Sequence, residues 1–187
     1  MNNSSVNHSS MKFKTIGIIT KPDAAPVKET LQKLFDFLKN KNCEVILDEQ
    51  IPQSINTYNF KTSDRDGIGK QCDLAIVVGG DGTILNAVRS LAHAQVPLLG
   101  INVGRLGFLA DISPDKLEDS LNEILNGSYR AEKRLLLEMQ VYRDDKVIFE
   151  ADAFNDVVVH IRDVARMIEF ETHINGKFVN HQRADGI

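Results

Sequence analysis

Two textures of apolar and polar residues divide the chain, and they change near Ser128. Before it, short apolar runs at 15–19 (TIGII), 44–47 (EVIL), 74–78 (LAIVV) and 97–102 (PLLGIN) read as buried strands. Stretches of helical spacing lie between and after them. Residues 26–40 place Leu31, Leu34, Phe35 and Leu38 on one face, with Pro26 near the first turn. Residues 84–92 form a second helical stretch. A third opens at Ser113-Pro114, with Ser113 as N-cap, buries Leu117, Leu121, Ile124 and Leu125, and ends at Gly127. The polar stretch 50–71, with Pro52, Gly67 and Gly69, reads as a loop with at most one helical turn. Alternating strands and helices predict an α/β domain with a parallel sheet and right-handed crossovers over residues 12–127.

After Ser128 the helical patterning stops. Short β-type runs follow at 135–142, 147–150, 156–161, 167–174 and 177–179. Asp144-Asp145 and Asn175-Gly176 are hairpin turn pairs. Residues 128–187 are therefore expected to form an incomplete all-β domain. Residues 1–11 are rich in Asn and Ser, lack the apolar segment of a signal peptide, and read as a disordered tail.

Composition narrows the function classes. The 187 residues carry a formal net charge of −4 and show no basic stripe, so the footprint of a nucleic-acid binder is missing. No apolar run approaches transmembrane length. Cys43 and Cys72 have no metal or redox spacing, which suits reduced thiols in a cytoplasmic protein. The five histidines are scattered without ligand spacing.

The chemistry concentrates in VVGGDGTIL, residues 77–85. A strand that ends in glycines and feeds a helix N-terminus can hold phosphate, because the helix presents unpaired N–H groups and glycines let the backbone approach the anion. Gly79, Gly80, Gly82 and Thr83 are the candidate cradle. Asp81 is the odd member: a carboxylate repels phosphate, so its place there calls for a metal ion or a hydroxyl to activate. The bland alternative is a tight strand–helix connection. Neither a Walker A pattern nor Gly-x-Gly-x-x-Gly is present. After the fourth strand, LGINVGRLGFLADI (99–112) offers Arg105 for a phosphate and Phe108 for packing on a ligand, against the alternative of a solvated loop arginine. Asn155-Asp156 reads either as an adenosine-reading pair or as a turn cap, and Arg183 and Asp185 say little in isolation.

Together these stretches resemble the NAD kinase family: VVGGDGTIL, LGINVGRLGFLADI, FNDVVVH (154–160), ARMIEFE (165–171) and QRADG (182–186) run in the family order. GGDGT alone is shared with lipid kinases of the diacylglycerol and sphingosine type. The resemblance implies an α/β domain followed by a β domain, with a site in the cleft between them. It implies transfer of the γ-phosphoryl group of ATP, or of polyphosphate, to the 2′-hydroxyl of the adenosine ribose of NAD. It also implies a divalent metal, Mg²⁺, held without dedicated protein ligands, and a homo-oligomer, dimer or tetramer. In this reading Asp81 is catalytic. The cofactor-binding residues are Gly79, Gly80, Gly82, Thr83, Arg105, Phe108, Asn155, Asp156, Arg183 and Asp185. Many members have Asn-Glu where this chain has Asn155-Asp156, and the family continues past Asp-Gly with a TPTGSTAY-like segment. The sequence thus reads as a fragment of an enzyme of about 290 residues. Alone, it is expected to lack NAD kinase activity and to self-associate. A GGDGT-type lipid kinase and an inactive nucleotide-binding fragment are the alternatives.

Overall fold

The computed structural model describes residues 12–21, 25–51, 55–103, 109–110, 112–161 and 167–187. The expected tail, 1–11, lies outside them. The chain divides into two compact units, Met1–Leu135 and Leu136–Ile187. Residues 128–135 have no regular structure and count with the first unit.

In the first unit, five parallel strands run β1 (Thr15–Thr20), β2 (Glu44–Asp48), β3 (Lys61–Ser63), β4 (Leu74–Gly79) and β5 (Leu98–Asn102), in the spatial order β3-β2-β1-β4-β5. The helices are α1 (Ala25–Leu38), α2 (Arg65–Gln71), α3 (Asp81–Leu91) and α4 (Leu117–Leu125). One hydrophobic cluster joins Leu31, Leu34 and Phe35 of α1 and Leu117, Leu121 and Leu125 of α4 to Ile16, Ile18, Ile76, Val78 and Ile101 of the sheet. The buried Ile68 of α2 and Ile84, Ala87 and Leu91 of α3 lie outside that cluster. They pack on the opposite face, where a Cβ on Gly17 would sit 2.6 Å from Ile68 and one on Gly100 2.8 Å from Ile84. Strand side chains alternate between faces, so α1 and α4 cover one face and α2 and α3 the other.

Two details depart from the sequence expectation. The polar stretch 50–71 contains both a strand and a helix. β3 is a three-residue edge strand whose Lys-Thr-Ser side chains need no apolar alternation, because it is held by its ladder to β2. α2 keeps two glycines in its seven residues and is set by the Asp64 cap, whose Oδ1 accepts from the Gly67 amide at 2.7 Å. The second departure is at Ser113, which precedes a 3₁₀ turn, Pro114–Lys116, and makes no side-chain capping bond there; α4 proper starts at Leu117.

A buried ion pair ties α2 to the carboxyl end of β2. Asp48, 2 % exposed, accepts from Arg65 Nε, and Arg65 Nη1 donates to Ser90 Oγ of α3 at 3.1 Å. Removing one member of such a pair strands a charge in low dielectric. Arg65→Met is therefore expected to lower the unfolding free energy by about 3 kcal/mol or more. Breaking the exposed Lys61–Glu44 pair through Lys61→Met should change little. Urea unfolding of both variants checks the contrast, and equal midpoints would contradict it.

The second unit consists of two hairpins, β6 (Leu137–Arg143) with β7 (Lys146–Ala153) and β8 (Ile168–Ile174) with β9 (Lys177–Ala184), each a two-stranded antiparallel sheet with one register shift. The turn pairs behave as expected. Asp144, Asp145, Asn175 and Gly176 all have positive φ, from 50° to 74°, the conformation that tight hairpin turns require. The run 156–161 is not a strand. Only its last residues pair, through Val159 N to Ile187 O at 2.9 Å, Ile187 N to Val159 O at 2.8 Å and Ile161 N to Asp185 O at 2.9 Å. His160 stands opposite Gly186 in an antiparallel bridge. Tyr142, Ile148, Phe149, Ile174 and Phe178 are exposed on these hairpins.

Candidate functional site

The glycine segment forms the junction of β4 and α3. β4 runs through Gly79, Gly80 is the N-cap of α3, and the helix starts at Asp81, earlier than the apolar spacing from Ile84 predicts. Asp81, Gly82 and Thr83 thus belong to the first helical turn. Thr83 N and Ile84 N donate back to Gly80 O at 2.9 and 3.2 Å. The amides before them have no intrahelical acceptor in an α-helix and point outward with the positive end of its dipole.

The glycines have different jobs. A Cβ on Gly79 would meet Thr83 Oγ1 at 2.6 Å and Thr83 Cβ at 2.8 Å. Gly79 is required by packing, and Thr83 closes over it. A Cβ on Gly80 or Gly82 would meet no described atom within 4 Å, and Gly80 has an ordinary extended backbone, φ −89° and ψ 180°. Nothing within the described fold demands glycine at either position. At both positions the place of a Cβ is clear of the other described residues.

Asp81 is half-buried, and its Oδ1 accepts from the Leu109 amide at 3.3 Å. On the other side, Val103 N donates to Gly79 O at 3.2 Å. Residues 103 and 109, which flank the stretch 104–108, are therefore both tied to the glycine junction. Arg105 and Phe108 themselves lie outside the described residues. Ile112 returns beside Ile101, with Asn102 N to Ile112 O at 2.8 Å. Gly100 makes room for this return, since its Cβ would stand 3.0 Å from Ala110 Cα. The tether from Asp81 to Leu109 has no sequence signal of its own.

The topology marks the same spot. The crossover from β1 passes through α1 on one face, and that from β4 through α3 on the other. The carboxyl ends of β1 and β4 are neighbours, Thr20 opposite Val78. Chains that depart to opposite faces from adjacent strands leave a crevice between their ends, where open α/β sheets take their ligands.

In the second unit, Asn155 and Asp156 are exposed at the bend after β7, with Asn155 Nδ2 donating to Asp156 Oδ1 at 3.0 Å. Arg183 lies on β9 opposite Glu169, and Asp185 sits just beyond, its carbonyl receiving Ile161 N. The structure therefore brings Asp185 alongside the segment that follows Asn155-Asp156. Gly186 is needed for this approach, because a Cβ there would meet Val159 O at 2.5 Å and His160 Cα at 3.0 Å. Gly186→Ala is expected to open this short ladder at a cost of about 1–3 kcal/mol. The amides of Val159, Ile161 and Ile187 should lose hydrogen-exchange protection while β8 and β9 keep theirs; unchanged protection at Val159 would contradict the steric argument.

Burial, helped by Asp73 and Glu44, pushes the Cys72 thiol up to about 11, and burial also raises that of Cys43, which favours the protonated thiol at both.

Residues 16–129 match the sequence profile of the ATP-NAD kinase N-terminal domain. The chain belongs to the NAD kinase family. It is 46 % identical over 175 residues to the NAD kinase of Chromohalobacter salexigens and 47 % identical over 176 residues to that of Saccharophagus degradans, in each case across 94 % of this chain and 60 % of the relative. It thus spans about three fifths of the length of these curated relatives. Among solved structures, an NAD kinase from Archaeoglobus fulgidus in complex with ATP superimposes with a TM-score of 0.62 at 26 % identity, over 92 % of this chain and 58 % of that one. Yeast NADH kinase complexed with NADH gives a TM-score of 0.82 at 23 % identity, over 97 % and 60 %; at that identity the likeness speaks for the fold. The family match covers the sheet, the glycine junction and α4 of the first unit.

Proposed function

We propose that this chain carries the phosphate-holding part of an NAD kinase, which moves the γ-phosphoryl group of ATP, or of polyphosphate, to the 2′-hydroxyl of the adenosine ribose of NAD. The observation that carries the reading is the pair of glycines, Gly80 and Gly82, held open at the N-terminus of α3 with Asp81 between them. A helix N-terminus with glycines suits an anion, and a carboxylate beside it suits a hydroxyl that must lose its proton. Phosphoryl transfer asks a protein for positioning and charge neutralisation. The outward amides of α3 would hold phosphate oxygens, and Asp81 would orient the acceptor hydroxyl and take its proton late in the transfer.

Among the described residues no group of three metal-ligating side chains gathers. Mg²⁺ would be held chiefly by the phosphates, with Asp81 as the carboxylate at hand, and when bound would neutralise their charge. Arg105 would pair with a phosphate, and Phe108 would pack on the ligand. Asn155 and Asp156 would hold the adenosine and nicotinamide-ribose parts, with Arg183 and Asp185 lining the dinucleotide. No described helix is long and apolar enough to cross a membrane, and we place the protein in the cytoplasm as a homo-oligomer, dimer or tetramer.

The test is formation of NADP from ATP–Mg²⁺ and NAD, followed through an NADP-dependent dehydrogenase, on this chain and on any longer gene product that contains it. NAD-dependent turnover is expected in the longer product and not in this chain alone, and it should fall a hundredfold or more in the Asp81→Asn variant of the longer product. Phosphorylation of diacylglycerol micelles without any of NAD would replace the reading with a lipid kinase.

A further inference from the structure

We infer that Lys21 is a phosphate-contacting residue of this site, which adds a positive charge from β1 to the one that Arg105 would bring from the other side of the glycine junction. The inference rests on the nucleotide reading above and names a residue that reading leaves out. Lys21 follows β1 directly, and β1 is the strand next to β4 in the parallel sheet, with Thr20 opposite Val78. One further step along both strands sets Lys21 beside Gly79. Thr20 Oγ1, fully buried, donates to Val78 O at 2.8 Å and locks the two carboxyl ends together. Lys21 thus stands on the β1 side of the crevice whose β4 side is the Gly79–Asp81 junction.

Strand alternation also puts it on the relevant face. Ile16 and Ile18 belong to the cluster under α1 and α4, whereas Gly17 faces α2. Carried two residues beyond Ile19, the alternation places Lys21 on the face of α2 and α3, the side from which α3 departs. Among the described residues that follow β2 and β4 at this end of the sheet, the charges are acidic. β2 ends in Asp48 and Glu49, β4 leads into Asp81, and Arg65 after β3 is committed to Asp48. Lys21 is exposed, and its ammonium makes no ion pair among the described residues. A polyphosphate chain laid across the α3 amides would pass Asp81, and a cation on the β1 side would offset that carboxylate. Lysine suits the task as a compact point charge on a flexible stem.

The experiment titrates inorganic triphosphate with equimolar Mg²⁺ onto the 187-residue chain by calorimetry. Lys21→Ala is expected to raise Kd at least tenfold, the scale of one charge-assisted contact, and Lys21→Arg to stay within about threefold of the parent chain because the charge is kept. Lys12→Ala, whose ammonium lies over the Tyr129 ring at 4.6 Å, controls for general loss of charge and should bind as the parent does. Thermal midpoints of all variants should coincide. A Lys21→Ala affinity equal to that of the parent chain would overturn the inference and leave the glycine site standing. Equal losses in the Ala and Arg variants, or a lowered midpoint, would make Lys21 structural and overturn it too. Triphosphate that fails to bind the parent chain, or binds Gly80→Val as tightly, would bring down the phosphate reading and Lys21 with it.

Discussion

Asp81→Asn in the active protein is expected to lower kcat for NAD phosphorylation by two orders of magnitude or more, with dinucleotide affinity little changed. The expectation follows from what the substitution keeps. Asparagine has the shape of aspartate, and its carbonyl oxygen can still accept the Leu109 amide that Asp81 Oδ1 now receives at 3.3 Å. The tether to the segment after 104–108 survives, and only the negative charge and the proton-accepting capacity go. A general base is worth roughly 10²–10⁴ in rate, which sets the scale. Asp81→Ala removes the tether as well, so its additional loss, read in KM, measures how far Asp81 also positions that segment. A near-normal kcat in Asp81→Asn would take the carboxylate out of the chemistry and leave it a loop anchor.

Gly80→Val should abolish detectable binding of ATP–Mg²⁺ while the protein stays folded. The backbone at Gly80 is in a region open to any residue, and a Cβ there meets no described atom within 4 Å. The fold thus loses only the small preference of an N-cap for glycine over a branched residue, a few tenths of a kcal/mol to about 1. The valine side chain fills the space in front of the α3 amides. Gly82→Ala sharpens the argument. Inside the first turn of a helix, alanine is more favourable than glycine by up to about 1 kcal/mol, so this variant should be at least as stable as its parent and bind more weakly. Stability up and affinity down is a pattern that a merely structural turn cannot produce. Calorimetric titration beside a thermal melt reads both, and unchanged affinity in both variants would reduce the junction to a connection.

Much of the first unit was legible because its residues carry one signal at several levels. LAIVV is apolar enough to be a central strand, the glycines stop it, and the spacing of Ile84, Ala87, Val88 and Leu91 fits a helix buried on one side. What stayed hidden has physical causes. β3 has no apolar pattern because an edge strand of three residues is held by backbone bonds to β2. α2 carries two glycines, which argue against a helix locally and are admitted because its neighbours crowd Gly67 and Gly69 to 1.9 Å and 2.7 Å from a built Cβ. At the site, the glycine cradle and Asp81 were plain in sequence. The Asp81–Leu109 bond joins residues 28 positions apart through a backbone amide, which no side-chain pattern reports. Lys21 belongs to no motif in the sequence, and only the order of the strands, with β1 next to β4, brings the end of β1 that it follows to the glycine junction. In the second unit, the run 156–161 has strand composition, yet among the described residues only Val159 and Ile161 of it make ladder bonds.

The distribution of the core has a consequence for how the chain comes into being. Every buried apolar side chain among the described residues lies between Phe13 and Leu125. Translation proceeds from the N-terminus at about 5–20 residues per second, so the parallel sheet and its four helices can collapse on the ribosome before either hairpin is made. The glycine junction would thus be assembled early, on a scaffold that owes nothing to the residues still in the exit tunnel. The hairpins follow later, and Tyr142, Ile148, Phe149, Ile174 and Phe178 remain exposed on them.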